Sequence, residues 1–342
     1  MTAPARLLLD ADALVANWRA LARLSGRAAC GAAVKANGYG LGARDVVARL
    51  AAAGCRDVFV ATWAEAEAIA DVEVPVSVLH GVRADDLAAA RALPHVRPVL
   101  NTPDQVRRWR EAGGGACDVM VDTGMNRLGV SREDVAAGLL DGLAIETLMS
   151  HLACADEPSA MNERQRTRLE ALAGRTSARR LSLANSAGVA LGPAYAFDLT
   201  RPGLALYGGV PSQALAGVVR SVVTIEAEVL QRRRVPAGET VGYNATWVAP
   251  VDTWVGIVNL GYADGYWRGF SDRGRAYAGD RELLVIGRVS MDLVALDLGT
   301  VGVGEGDRVT FDPDLPRAAD ASGMSQYELL TGLGGRFERV WS

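Results

Sequence analysis

The sequence predicts a (β/α)8 barrel over residues 1–215, followed by a mostly β, antiparallel domain over 216–342. Three observations predict it. Between residues 28 and 201, short apolar runs alternate eight times with amphipathic or alanine-rich segments, the pattern of parallel strands joined by helices. Polar residues stand at the C-terminal ends of several runs, where a barrel builds its site. Beyond residue 215 the texture changes to Val-, Ile- and Thr-rich stretches broken by turn residues, which reads as antiparallel sheet. A doubly wound open sheet is the competing architecture. It usually has fewer strands and binds its ligand at a Gly-rich first turn that is absent here.

The first run, AACGAAVK (28–35), is bounded by the loop-forming NGYGLG and reads as a buried strand ending in Lys35. DVFVATW (57–63), VPVSVLH (74–80), VRPVLN (96–101) and CDVMVDT (117–123) follow it. AIETLMSH (144–151), RLSLANS (180–186) and FDLTRPG (197–203) complete the set. Between them lie helical stretches such as ARDVVARLAAAG, AEAEAIAD, TPDQVRRWREAG, REDVAAGLLDG and NERQRTRLEALAG. Several open on Asp, Ser or Thr and close on Gly, as helix caps require. Gly113-Gly114-Gly115 follows one such stretch and reads as a helix stop. The domain boundary falls in the Gly-Gly-Val-Pro-Ser loop near 208–215. After it, SVVTIEAEVLQRRRV, DTWVGIVNL, RAYAG, ELLVIGRVSMDLVALDL and DRVTF are strands, separated by PAGET, SDRGR, GVGEGD and DPD.

The 342 residues are 49% hydrophobic and 22% charged with net charge −4, which makes no electrostatic case for nucleic acid. No stretch reaches membrane-spanning length, and MTAPARLLLDAD is too short for a signal peptide. Cys30, Cys55, Cys117 and Cys154 lack C-x-x-C spacing. The first three lie in or beside apolar runs and read as reduced core residues of a cytoplasmic protein. His80, His95 and His151 are not paired at helical spacing with an acid or with one another, so no metal site is expected.

The polar outliers converge on one end of the predicted barrel. Lys35 ends strand one, Asp122, Thr123 and Arg127 follow strand five, and His151 ends strand six. Asn185 and Ser186 end strand seven, and Arg201 ends strand eight, just before Pro202 and Gly203. Barrels commonly bind phosphate at the loops after strands seven and eight, which puts it at Ser186 and the backbone near Gly203. A lysine able to condense with an aldehyde, an arginine for a pyridine nitrogen and a phosphate cradle together describe a pyridoxal phosphate site. Singly, His151 reads as a satisfied core histidine, Arg127 as a helix-start charge and Asn185-Ser186 as a helix cap. Their joint placement favours a site.

At this point the chain resembles the alanine racemases, pyridoxal-phosphate enzymes with a barrel followed by a β domain. The resemblance covers essentially the whole length. It rests on AVKANGYGLGA, VDTGMNRLGV, SHLACADE, ANSAG, TRPGLALYG, VGYNATW, GYADGYWR, IGRVSMD and QYELL. It implies that Lys35 carries pyridoxal 5'-phosphate and that Tyr39, Ser186, Gly203, Leu204 and Tyr327 hold its phosphate, beside Asn185. It further implies that Arg201 faces the pyridine nitrogen and that His151 lies by the ring. Arg127 and the backbone of Met291 would meet the substrate carboxylate. Tyr243 would be the second base, reaching the site with Tyr262 and Met291 from the other subunit of a homodimer. The implied activity interconverts L- and D-alanine and supplies D-alanine for cell-wall peptidoglycan. One departure stands out: where the family often carries a lysine that, as a carbamate, orients the arginine seven residues on, this chain has Met120.

Racemisation needs the Cα proton removed from one face and returned on the other, which two opposed bases achieve. Lys35 and Tyr243 are the candidates, and both need tuning, since free amines and phenols titrate near 10. Arg201 stays protonated and accepts no proton, so it keeps the pyridine nitrogen unprotonated and the ring a weaker electron sink. Competing readings are a broader racemase for serine, lysine or other amino acids, a barrel decarboxylase, and a cofactor carrier without turnover. Arg201 argues against the decarboxylase and the β domain with Tyr243 against the carrier.

Overall fold

A computed structural model of the chain describes residues 3–342, which divide into two compact units. The first unit runs over Leu14–Leu206 and Pro211–Val219. The second combines the residues up to Ala13 with Tyr207–Val210 and Arg220–Ser342.

In the first unit, nine parallel segments pair in one continuous order that begins at Ala29–Cys30 and ends at Ala32–Ala33. These two are halves of a single strand, so the sheet returns to its start and closes as an eight-stranded barrel. Gly31 makes the join. Its N–H donates to the Thr200 carbonyl of the last strand, and the next N–H, of Ala32, donates to Asp57 beside the second. A Cβ at Gly31 would stand 2.7 Å from the Asp57 carbonyl oxygen and 2.8 Å from the Phe59 ring, so the handover needs glycine. The other strands are Val58–Val60, Val76–Val78, Val96–Leu100, Cys117–Met120, Ile145–Met149, Arg180–Ser182 and Leu199–Thr200. All eight apolar runs therefore became barrel strands. They are nearly continuous in apolar character because a barrel strand is covered on both faces.

The helices start where their caps predict. Thr62 Oγ1 accepts the Glu65 N–H and Glu65 reaches back to the Thr62 N–H, a capping box at the head of Trp63–Glu67. Ser131 and Asp134 do the same for Arg132–Ala136. Each such cap contributes about 1 kcal/mol.

In the second unit, Val223–Val235, Thr253–Val258, Val294–Asp297, Arg281–Ile286, Arg275–Ala278 and Arg308–Phe311 form a closed antiparallel ring. The 13-residue strand Val223–Val235 has an irregular register between Val229 and Gln231, which bends it from one neighbour to another. Val235, Val241, Ala249, Val255 and Ile286 are a buried apolar cluster of this unit.

Two features depart from the expected organisation. Ala5–Leu9 is a strand of the second unit, antiparallel to Val223–Val235 and parallel to Glu338–Trp341, although it precedes the barrel in the chain. Ala5, Leu7 and Leu9 are buried and Arg6 and Leu8 half-buried, the alternation of a strand with one covered face. The division at 215 therefore omits a leading segment that belongs with the later domain. Two helices, Leu315–Ser322 and Gln326–Thr331, also interrupt the β unit. No helix among the described residues is long and apolar enough to cross a membrane.

Candidate active site

Lys35 is the only lysine in the whole sequence. It leaves the first barrel strand into a left-handed turn: Ala36, Asn37, Gly38 and Tyr39 have φ of 53°, 54°, 64° and 53°. Gly38 takes this conformation freely and Asn37 at little cost, whereas Ala36 and Tyr39 each cost roughly 1–2 kcal/mol. Three contacts hold the turn. Glu65 accepts the Ala36 N–H at 2.7 Å, Asn37 Oδ1 accepts the Ala43 N–H at 3.0 Å, and Gly38 N–H donates to the Val34 carbonyl at 2.7 Å. A glycine-rich loop was expected here; the structure has a strained turn built largely from other residues, as functional sites often do. The Lys35 ammonium is pulled below its ordinary range by the crowding of the barrel mouth and then by cationic Arg127, with Glu65 opposing.

His151 lies after the sixth strand, and desolvation lowers it to about 3, with Arg201, Arg127 and Lys35 each adding to the fall. Three cations acting on one imidazole mean that these four side chains, from four different strand ends, converge. His151 is therefore neutral at neutral pH. An unfolded chain protonates its histidines below about 6.5, whereas folded His151 stays neutral until about 3. Its contribution to stability is fully present above pH 6.5 and is lost as the pH falls toward 3. In urea denaturation, the protein should lose up to a few kcal/mol more than its His151→Gln variant between pH 7 and pH 4. Equal losses would mean that the imidazole protonates freely in the fold.

Arg201 is buried, 6% exposed, and its guanidinium donates to Ser182 Oγ and to the Ser150 carbonyl. Among the described residues no carboxylate pairs with it. Burial lowers it to about 10, and the charge that offsets this is the more distant Asp118. Asp118, itself fully buried on the fifth strand, accepts from Ser77 Oγ at 2.6 Å and from the Thr147 N–H at 2.9 Å. A buried guanidinium with only neutral acceptors is costly unless another acceptor completes its set.

Ser186 and Gly203 sit where the seventh and eighth strands end. Ser186 Oγ accepts the N–H groups of Gly203 and Ala205 at 2.9 and 3.1 Å. The Tyr39 hydroxyl lies against Gly203, 2.3 Å from where a Cβ would stand, so any larger residue there would displace the phenol. Leu204 is buried at the start of the turn Leu204–Tyr207. Asn185 caps the short helix Ser186–Ala190, its Oδ1 accepting the Gly188 N–H at 2.8 Å.

Arg127 stands on a loop closed at its base, where Asp122 N–H donates to Val130 and Val130 N–H to Met120. Asp122 Oδ1 gathers the N–H groups of Gly124, Met125 and Asn126 at 2.8, 3.0 and 3.1 Å. The Arg127 side chain is exposed and has no hydrogen-bond or ion-pair partner among the described residues. Met120, buried on the strand below, provides no charge for it.

The other expected site residues belong to the second unit. Tyr243 opens the turn Tyr243–Ala245 and is 69% exposed. Tyr262 and Met291 come from two turns held together: Ala263 N–H donates to the Met291 carbonyl and Tyr262 N–H to Ser290, both at 3.0 Å. Arg336 bridges the same turns through Asp264 and Asp292. Tyr327 lies on the helix Gln326–Thr331, 44% exposed. The sequence reading missed Glu65, Ser150 and Ser182, which hold the site residues in place, and the isolation of Lys35 as the sole lysine, which a simple count would have revealed.

The family models for the alanine racemase N-terminal and C-terminal domains match residues 9–211 and 222–341. The chain belongs to the alanine racemase family. It is 42% identical to an alanine racemase of Rhodospirillum rubrum, over 98% of this chain and 96% of that one. It is 39% identical to a catabolic alanine racemase of Agrobacterium fabrum, over 99% and 92%. Among solved structures, it is similar to the alanine racemase of Bartonella henselae with covalently bound pyridoxal phosphate, at TM-score 0.91 and 31% identity, covering 99% of this chain and all of that one. The biosynthetic alanine racemase of Pseudomonas aeruginosa follows at TM-score 0.90 and 32% identity, with full coverage of both chains. The alanine racemase architecture, a closed parallel barrel and an antiparallel β domain, is thus the one the eight runs and the later texture predicted.

Proposed function

We propose that the chain is a pyridoxal-phosphate-dependent alanine racemase that interconverts L- and D-alanine in the cytoplasm and supplies D-alanine for peptidoglycan. The convergence of Lys35, Arg127, His151 and Arg201 at one barrel mouth carries the reading. The residues suit pyridoxal phosphate. Arg201 is a buried donor with no anionic partner among the described residues, ready for a neutral ring nitrogen, and the Ser186–Gly203–Tyr39 cluster suits the barrel's usual phosphate position. When bound, the cofactor supplies an aldehyde for the substrate amine and a ring that draws electrons from Cα.

The chain's own groups do the rest. Arg127 receives the substrate carboxylate, together with the backbone of Met291. Ser186, Tyr39, Gly203, Leu204 and Tyr327 hold the phosphate, with Asn185 fixing the turn beside it. Neutral His151 packs by the ring without adding a fourth charge. Arg201, a permanent donor, leaves the ring nitrogen without a proton, which favours reprotonation at Cα over decarboxylation or transamination. On the D-alanine face, Lys35 Nζ removes the Cα proton, and on the L-alanine face the Tyr243 hydroxyl delivers one. One turnover leaves a protonated amine and a phenolate, and the reverse turnover or exchange with water resets them.

Tyr243 belongs to the unit that does not carry Lys35, and its ring is among the most exposed large apolar groups of the chain. Exposed Met291 and Tyr327 of the same unit fit the same picture. These features support a homodimer in which each β domain completes the partner's barrel, placing Tyr243, Tyr262 and Met291 in the shared site.

A broader amino-acid racemase is the second reading, favoured by the unpartnered Arg127 above Met120. Purified protein assayed on a panel of L- and D-amino acids decides between them. The expected result is racemisation of alanine at least about 100-fold faster, by kcat/KM, than of serine or lysine, since a close pocket discriminates by a few kcal/mol. Comparable rates would make it a broad racemase, and absence of turnover in a yellow protein would make it a carrier.

A further inference from the structure

The helix Ala160–Glu170, which follows the sixth strand, turns polar side chains toward the barrel. Asn162, Gln165 and Arg168 recur every three residues and so share a face, and Asn162 and Gln165 are buried. Gln165, 0% exposed, uses both ends of its amide. Its Nε2 donates to the His151 carbonyl at 2.8 Å and to Thr123 Oγ1 at 3.3 Å, and its Oε1 accepts the Ala153 N–H at 2.9 Å. Thr123 is equally buried. Its Oγ1 shares a hydrogen bond with Ser150 Oγ at 2.7 Å, and its carbonyl accepts from Arg168 at 2.9 Å. The Ser150 carbonyl is the one that receives Arg201. Gln165 thus ties Thr123, in the stem of the Arg127 loop, to the backbone of His151, and the Thr123 hydroxyl carries the tie on to the side chain of Ser150, whose carbonyl receives Arg201.

A helix packed on a barrel ordinarily buries Leu, Ile or Val at such a position. A buried amide is tolerated only when its groups are paired, as they are here with the backbones of His151 and Ala153. What the amide adds is direction. Among the described residues Arg127 has no partner for its own side chain, so where its guanidinium can reach is set by its backbone, and the backbone hangs from Asp122 and Thr123.

We propose that Gln165 is a positioning residue for recognition of the substrate carboxylate, fixing Thr123, and through it Arg127, against the shelf that carries His151 and Arg201. The proposal rests on the reading of Arg127 as the carboxylate's partner.

The test uses holoenzyme and propionate, which offers alanine's carboxylate and methyl group without the amine. Its dissociation constant is read from the change in cofactor absorbance, apart from any turnover. Gln165→Met should weaken propionate about tenfold, and raise KM for both enantiomers of alanine about tenfold with kcat changed less than about threefold, the scale of one or two lost hydrogen bonds. Added to Arg127→Ala, it should weaken propionate no further, because both act through the same guanidinium. Thr123→Val, which keeps the shape and removes the hydroxyl, should reproduce the effect and carries the test if Gln165→Met does not fold. Wild-type propionate affinity in folded Gln165→Met or Thr123→Val, alongside a weakened Arg127→Ala, overturns the proposal and leaves the carboxylate reading intact. Wild-type affinity in Arg127→Ala overturns both. A further loss when Gln165→Met is added to Arg127→Ala assigns Gln165 to general stability and overturns its positioning role.

Discussion

Lys35→Ala should lose racemase activity by roughly 10³-fold or more, since it removes both a proton carrier and the amine that anchors the cofactor. The effect on the cofactor is the sharper measurement. Treating the wild-type protein with borohydride should fix pyridoxal to one peptide, the one containing Lys35. The chain has no other ε-amine to confuse the result. In the variant, the label should vanish while the phosphate cradle at Ser186 and Gly203, which makes no contact through that amine, still retains some cofactor reversibly. The fold should be unaffected, because the left-handed turn after Lys35 is held by Glu65, Asn37 and Val34 rather than by the lysine side chain. Undiminished turnover in Lys35→Ala, or label on another peptide, would remove Lys35 from the chemistry.

Tyr243→Phe should lower racemisation in both directions by roughly 10²–10⁴-fold, the usual contribution of one positioned proton donor. The ring keeps its place and only an exposed hydroxyl is lost, so stability and cofactor spectrum should match wild type. Proton exchange separates the two faces. In deuterated water the variant should still exchange the Cα proton of D-alanine without inversion, through Lys35, while exchange into L-alanine falls away. Equal loss from both enantiomers would make Tyr243 a substrate-positioning group instead of a base. The same variant tests the shared site. Subunits carrying Lys35→Ala and subunits carrying Tyr243→Phe, each inactive alone, should form hybrids with one intact site, restoring up to about a quarter of wild-type activity in a statistical mixture. No recovery despite demonstrated subunit exchange would leave each site within one chain.

Much of this arrangement was legible in the amino-acid sequence, and for a physical reason. Barrel strands are covered on both faces, so they read as apolar runs, and a charge such as Lys35 or Arg201 at the end of one is conspicuous. What escaped notice lacks that contrast. The turn after Lys35 has three left-handed residues that are not glycine; Asn37-Gly38 marks a turn, but nothing in Ala36 or Tyr39 announces such a backbone. Gln165 lies in a stretch read as an ordinary outer helix; the sign was its polar residues spaced by three, with little apolar face to set against them. The Ser182 hydroxyl and the Ser150 carbonyl take on a role only when Arg201 reaches them. Ala5–Leu9 is silent in the local pattern because its partners lie more than two hundred positions away.

That distant pairing constrains the order in which the protein can be made. Leu9 and Ser342 are 333 positions apart yet hydrogen-bonded. A ribosome adding about 5–20 residues per second separates their emergence by roughly 15–70 s. Throughout that interval Ala5–Leu9 has left the exit tunnel with one neighbouring strand not yet made, a short apolar edge open to any other chain. The barrel, synthesised in between, has its own closed sheet and can complete first. The six-stranded ring of the β domain can close once Arg308–Phe311 is made, but Ala5–Leu9 keeps one edge uncovered until Glu338–Trp341 meets it. Covering that edge therefore comes only after Glu338–Trp341 is made, and a stop codon before Glu338 would spare the barrel while leaving the edge permanently uncovered.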